Sequence, residues 1–249
     1  MDGVRGKTAL VIGATSGVGK ATAMALLSAG WRVTAVARGE EALGALAAGG
    51  GPELHTVAAD ASEAGTAERL LRALPDLVVL TAGSRPRMAP LDEQSWESFS
   101  EPWNNDTQAA FHLLRAAVMV PLRAGSTVMV VSSGAAINGS PFSGGYAGAK
   151  RMQWLLTGYA QKLADARKLG LRFLTIVPRQ MLAGSRIAAE ASSAYAAAQG
   201  ITPAEFMARF GAPLDAEMVG AALVQALVDE TVAGGTSLAV TSKGVEAIA

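Results

Sequence analysis

Two stretches carry residues that could do chemistry together: Ser132-Ser133-Gly134 and Tyr146-Ala147-Gly148-Ala149-Lys150. A tyrosine and a lysine four residues apart share one face of a helix. An ammonium beside a phenol favours the phenolate. Such a tyrosine can pass a proton to or from a substrate oxygen near neutral pH. With three tyrosines and six lysines in the chain, chance supplies this spacing only roughly 0.07 times. Ser133 follows an apolar run, on the side of an open α/β sheet where ligands collect. Its hydroxyl can hold a substrate carbonyl.

A glycine-rich turn lies upstream, in Leu10-Val11-Ile12-Gly13-Ala14-Thr15-Ser16-Gly17-Val18-Gly19-Lys20-Ala21. Such turns hold phosphate, so the question is whose. A triphosphate loop built on Gly19-Lys20 needs a glycine at Ala14 and a magnesium-binding hydroxyl at Ala21, and both fail. Its partner aspartate should end an apolar strand, whereas Asp76 precedes one. A dinucleotide fits better. Gly13 turns the chain at the strand end, and Gly17 and Gly19 let backbone approach a pyrophosphate. Free N–H groups at the helix start then face the phosphates.

The next strand ends Ala35-Val36-Ala37-Arg38. A site for the unphosphorylated ribose places a carboxylate near here. An arginine stands there instead, and a guanidinium suits a 2′-phosphate. The cofactor expected is NADP. Asp60, in Ala59-Asp60-Ala61-Ser62, can bond an adenine amino group or cap the following helix.

The elements that must position these groups are legible as alternation. Candidate strands are Thr8–Ile12, Arg32–Ala37, Leu54–Ala58, Leu77–Thr81, Thr127–Ser132, Arg172–Val177 and Leu238–Thr241. Their nearly unbroken apolar character suits strands covered on both faces. Helix-like stretches such as Ala21–Ser28, Glu63–Ala73, Thr107–Val120 and Gly145–Arg167 lie between them. The expectation is one α/β domain over residues 1–249, a doubly wound parallel sheet of Rossmann type with helices on both faces. The segment 183–213 is helical and alanine-rich, broken by Gly200 and Pro203. With Tyr195, Phe206, Met207 and Phe210 it reads as a small helical lid before the last strand, or as an ordinary surface helix pair. Together with Met181, these residues make a hydrophobic ketone the expected substrate.

Composition narrows the classes. Half of the 249 residues are apolar, and 21 basic residues balance 21 acidic ones. No basic run invites nucleic acid. There is no cysteine, and His55 and His112 begin no metal-ligand spacing, so no metal is expected. The start, Met-Asp-Gly-Val-Arg-Gly-Lys, has no signal-like core, and no apolar run is long enough for a membrane span. A soluble cytoplasmic protein without a membrane partner is expected. The stretches Gly145–Arg167 and Thr107–Val120 carry apolar residues around more than one face. A surface helix needs one stripe, so a homodimer or homotetramer is expected.

The glycine turn, Ser133 and Tyr146-x-x-x-Lys150, in this order and spacing, resemble the short-chain dehydrogenase/reductase family over essentially the whole chain. The resemblance implies an NADPH-dependent reductase acting between a carbonyl and an alcohol. Tyr146 would be the acid/base, Lys150 would ease its ionisation and hold the nicotinamide ribose, and Ser133 would orient the carbonyl. Gly13, Thr15, Ser16, Gly17, Val18, Gly19, Arg38, Asp60, Ala61, Ala82, Gly83 and Pro178 would line the cofactor. A non-catalytic NADP-binding protein of the same fold is the other class, but it needs no complete serine–tyrosine–lysine set.

Three positions depart from the family. Its Asn-Asn-Ala-Gly reads Leu80-Thr81-Ala82-Gly83, so the bracing amides are missing. Its helix asparagine, part of a proton relay, falls on Asp106, with Asn105 one residue away as the alternative. Its Pro-Gly reads Pro178-Arg179, whose cation can narrow the pocket or attract an acidic substrate.

Overall fold

The computed structural model describes residues 6–120 and 122–248. Residues 1–5, which hold most of the N-terminal stretch read for a signal segment, lie outside them. The apolar runs form β1 (Thr8–Ile12), β2 (Arg32–Ala37), β3 (Leu54–Ala58), β4 (Leu77–Leu80), β5 (Thr127–Val131), β6 (Arg172–Pro178) and β7 (Ser237–Thr241). All seven pair in parallel, in the order β3-β2-β1-β4-β5-β6-β7. An eighth strand, β8 (Gly244–Ile248), completes the sheet antiparallel to β7. The sheet is therefore mostly rather than wholly parallel, and β7 is not the last strand. Exposed and short, β8 carries no apolar run that would announce it.

Side chains alternate across the strands and feed two cores. Val11, Val79, Met129 and Ile176 face one side, with α1 (Gly17–Ser28), α2 (Glu40–Gly50) and α10 (Ala216–Val228). Ile12, Leu80, Val130 and Phe173 face the other, with α3 (Thr66–Leu71), α5 (Gln108–Met119) and α7 (Tyr146–Ala166). Burial on both faces explains the continuous apolar runs. The strand order reverses between β1 and β4, which opens a crevice at the carboxyl ends of the strands.

At the opposite end of these strands, Asp76 ties the start of β4 to the start of β1. It accepts from Thr8 N at 2.8 Å and Thr8 Oγ1 at 3.0 Å, and pairs with Arg123 at 3.1 Å. This aspartate is a structural staple far from any phosphate turn.

The remaining helices are α4 (Trp96–Pro102), α6 (Ala135–Asn138), α8 (Arg186–Gln199) and α9 (Pro203–Ala208). Between α4 and α5 the chain makes a π-helical turn over Trp103–Thr107. The alanine-rich insertion forms α8 and α9, between β6 and α10. Thr202 and Glu205 cap α9 reciprocally, with Pro203 in its first turn. No helix among the described residues is long and apolar enough to cross a membrane.

Candidate active site

A cavity of about 1580 Å³ runs along the carboxyl ends of the strands. Gly13, Thr15, Ser16, Gly17, Val18, Gly19, Arg38, Asp60, Ala61, Ala82, Gly83, Asp106, Ser133, Tyr146, Lys150 and Pro178 all line it. Residues as far apart in the chain as Gly13 and Pro178 are thus brought to one wall system by the sheet.

The glycines of the turn have distinct tasks. Gly13 has φ +92°, and a Cβ there would lie 2.5 Å from Ala82 N. A Cβ on Gly19 would overlap the Gly13 carbonyl oxygen. These two glycines let β1, α1 and the chain after β4 close on one another. Gly17 differs: its φ is +50°, and a Cβ would meet nothing within 4 Å. It starts α1 and leaves open space on the cavity side. The first helix thus begins at Gly17, four residues before the expected Ala21, so its free N–H groups lie in the turn itself. A pyrophosphate fits such a turn.

Thr81 replaces the missing brace. Its hydroxyl donates to Ile12 O at 2.9 Å and lies 3.2 Å from Gly13 O, joining β4 to the glycine turn. One hydroxyl does here what the absent amides were expected to do.

Arg38 follows β2 with its side chain 70% exposed, 3.8 Å from Asp60. Asp60 does not cap α3, whose N-cap is Gly65. It accepts from the hydroxyl of Ser62 at 2.7 Å and its N–H at 2.8 Å. The Ser62 hydroxyl holds the Asp60 carboxyl below its ordinary value; burial opposes this, and the Ser62 N–H and Arg38 add to it.

The Tyr146–Lys150 end of the cavity is built around a buried ion pair. Within the π-helical turn Asp106 is buried, 1% exposed, while Asn105 lines the cavity and donates to Glu101 O at 3.0 Å. Asp106 Oδ2 lies 3.2 Å from Lys150 Nζ, and Lys150 is 5% exposed. Asp106 Oδ1 accepts from Ser84 N at 2.5 Å. Burial alone would lower the Lys150 pKa; the charges of Asp106 and then Tyr146 outweigh it and raise it. Of the two candidates, both of which line the cavity, Asp106 is the one that meets Lys150.

Gln153 completes this network and escaped the sequence reading. Its Oε1 accepts from Lys150 Nζ at 3.1 Å, and its Nε2 donates to Asp106 O at 2.9 Å. It stands three residues after Lys150, so the same helical spacing that linked Tyr146 to Lys150 could have found it. Gly83 must be glycine: a Cβ would come 2.9 Å from Asp106 Oδ2 and 3.2 Å from Lys150 Nζ. The ammonium lies 5.6 Å from the centre of the Tyr146 ring. Ser133 lines the same cavity, its Oγ accepting from Ala135 N at 3.2 Å.

The insertion covers the outer part of the cavity, with Ile187, Tyr195, Phe206 and Phe210 on its wall. Tyr195 stacks on Phe206, meets Phe142 edge-on and hydrogen-bonds Ser140 Oγ at 2.9 Å. Met181 lines the cavity too. Arg179 lines the cavity as well, and its backbone φ lies outside the left-handed region. The non-glycine residues with positive φ among the described residues are Leu74 and Lys168. The Arg179 guanidinium lies 3.3 Å from Glu246 of β8.

The sequence profile of the short chain dehydrogenase family matches residues 7–194. The serine 3-dehydrogenase of Agrobacterium fabrum (strain C58) is 45% identical over 69 residues, 28% of each chain. The chain thus aligns with only about a quarter of that relative's length. The 2,5-dichloro-2,5-cyclohexadiene-1,4-diol dehydrogenase of Sphingobium indicum is 27% identical over 191 residues, covering 72% of this chain and 74% of that one. Among solved structures, an NAD+-bound xylitol dehydrogenase superposes with a TM-score of 0.84 at 21% identity, over 95% of this chain and 98% of that chain. At that identity the likeness is one of fold. The family match runs from the start of β1 into α8 and takes in the glycine turn and the tyrosine–lysine helix alike, and the chain belongs to the short-chain dehydrogenase family.

Proposed function

We propose that the protein is an NADPH-dependent reductase of a carbonyl substrate, or the reverse alcohol dehydrogenase. The observation that carries this reading is the meeting of Tyr146, Ser133 and the Lys150–Asp106 pair on one cavity with the glycine turn. Relatives named as serine and diol dehydrogenases support chemistry between an alcohol and a carbonyl. A bound nicotinamide supplies or takes the hydride. Ser133 holds the substrate oxygen, and Tyr146 gives it the phenolic proton as the carbonyl carbon takes the hydride. Lys150 steadies the charge that this leaves on the phenol. The insertion acts as a lid that keeps water from the reacting carbon. A carbonyl panel with NADPH tests the reading. Tyr146→Phe keeps the ring and loses the proton, so turnover should fall ~10²–10⁴-fold with cofactor binding retained. A variant with more than about half of wild-type turnover overturns it.

The choice of NADPH rests on Arg38, exposed at the end of β2 where the adenosine ribose would reach. A charge-assisted bond to a 2′-phosphate gives an about ten- to hundredfold preference over NADH. Arg38→Asp should abolish that preference in a cofactor titration. Equal wild-type affinity for both cofactors overturns this choice. Copies of the chain pair through α5 and α7, where Phe111, Met119, Tyr159 and Leu163 are exposed. Light scattering that reports a monomer at micromolar concentration overturns the pairing.

A further inference from the structure

Gln153 of α7 is 0% exposed and does not line the cavity, yet both ends of its amide are spent on groups that do. Its Oε1 accepts from Lys150 Nζ at 3.1 Å, and its Nε2 donates to the main-chain oxygen of Asp106 at 2.9 Å. A buried amide costs free energy unless it is hydrogen-bonded, and even then it adds little over an apolar side chain of the same shape. Packing alone does not call for a glutamine here.

Lys150 has a use for such a partner. An ammonium on a flexible four-carbon stem can turn its donors in many directions. Ser132 Oγ donates to Lys150 O at 2.8 Å and holds only its main chain. Asp106 Oδ2, 3.2 Å from Nζ, draws in the charge. That attraction sets a distance and leaves the head free to swing about the carboxylate. Gln153 adds a contact from a second side. Through Asp106 O it also ties α7 to the π-helical turn that carries the carboxylate. With two sides taken, the ammonium keeps a free side, and Lys150 lines the cavity. The centre of the Tyr146 ring is 5.6 Å from the same nitrogen.

We infer that Gln153 is a positioning residue: from behind the cavity wall it fixes the direction in which the Lys150 ammonium faces the cavity. This rests on the carbonyl–alcohol reading above, in which that ammonium holds the nicotinamide ribose and steadies the charge on Tyr146. The test uses Gln153→Met, which keeps the size of the side chain and removes both hydrogen bonds. Gln153→Leu repeats the measurement should that variant not fold. Affinity for NADPH or NADH, read by the fluorescence of the bound nicotinamide, should fall about tenfold. For a carbonyl substrate kcat should fall about tenfold as well, with KM unchanged. Adding Lys150→Met separates positioning from packing. If Gln153 acts through the ammonium, Gln153→Met should cost no further cofactor affinity in that background. A lowered Tm with wild-type affinity and kcat makes Gln153 a packing residue and overturns the inference. So does an affinity loss that persists in full beside Lys150→Met, and the functional reading survives either result. If no carbonyl is reduced by any of these proteins, the functional reading fails. The affinity cycle then still decides Gln153: a loss that vanishes beside Lys150→Met upholds the inference, and an undiminished one overturns it. A wild type that binds neither dinucleotide overturns both.

Discussion

The two ends of the cavity are built by different means. The glycine-turn end is main chain: Gly13 and Gly19 let β1, α1 and the chain after β4 touch, and the Thr81 hydroxyl bonds to backbone carbonyls. The Tyr146–Lys150 end is side chain on side chain. Asp106, Lys150 and Gln153 form one buried network from two segments, and Tyr195, Phe142 and Phe206 pack the insertion from three. A main-chain site tolerates almost no added atom. A side-chain network tolerates shape changes but not the loss of one charge.

The largest expected effect lies in the network. Asp106→Ala leaves the Lys150 ammonium buried without its partner, which should cost about 3–5 kcal/mol of stability in urea unfolding. Asp106→Asn keeps an oxygen acceptor and should cost less. If the alanine variant were as stable as wild type, the ion pair would not be the centre of this end.

Next come the glycines, which divide the glycine-turn end by its own logic. Gly19→Ala must push the Gly13 carbonyl aside, so it should lose about 1–3 kcal/mol and weaken cofactor binding. Gly17→Ala meets no atom within 4 Å and pays only for its φ of +50°, about 1 kcal/mol. Gly17 lines the cavity, so on the proposed reading cofactor affinity should fall more than stability does. Equal stability losses in the two variants would dissolve the distinction.

The smallest effect lies outside both ends and serves as a reference. Asp76 carries a carboxyl that burial would raise from its ordinary 3.8, but Thr8 and Arg123 lower it. Its folded pKa is thus below the unfolded one. The stability this contributes is present above pH ~3.8 and is lost as pH falls through the folded value. Asp76→Asn should flatten that acid limb by under about 1 kcal/mol while leaving cofactor affinity alone.

Legibility followed the same division. The glycine turn, the apolar strands and Tyr146-x-x-x-Lys150 each sit within a few neighbouring residues, where spacing alone implies geometry. Strand ends shifted by a residue or so, as with Thr81 and Ser132, which fall just past β4 and β5. β8 went unread because a half-exposed edge strand needs no apolar run.

From the sequence alone came the alternation that makes a parallel sheet, the phosphate-suited turn and the tyrosine–lysine face, because each depends on local periodicity. The tertiary structure alone decided that Asp106 rather than Asn105 meets Lys150, since one π-helical turn rotates the helix between them. It also decided the partners of three arginines that line the cavity. Arg85 finds Glu190 and Arg179 finds Glu246, each more than 60 residues away, while Arg38 finds Asp60 just past the end of β3. A guanidinium's meaning depends on what neutralises it, and distance along the chain says nothing of that.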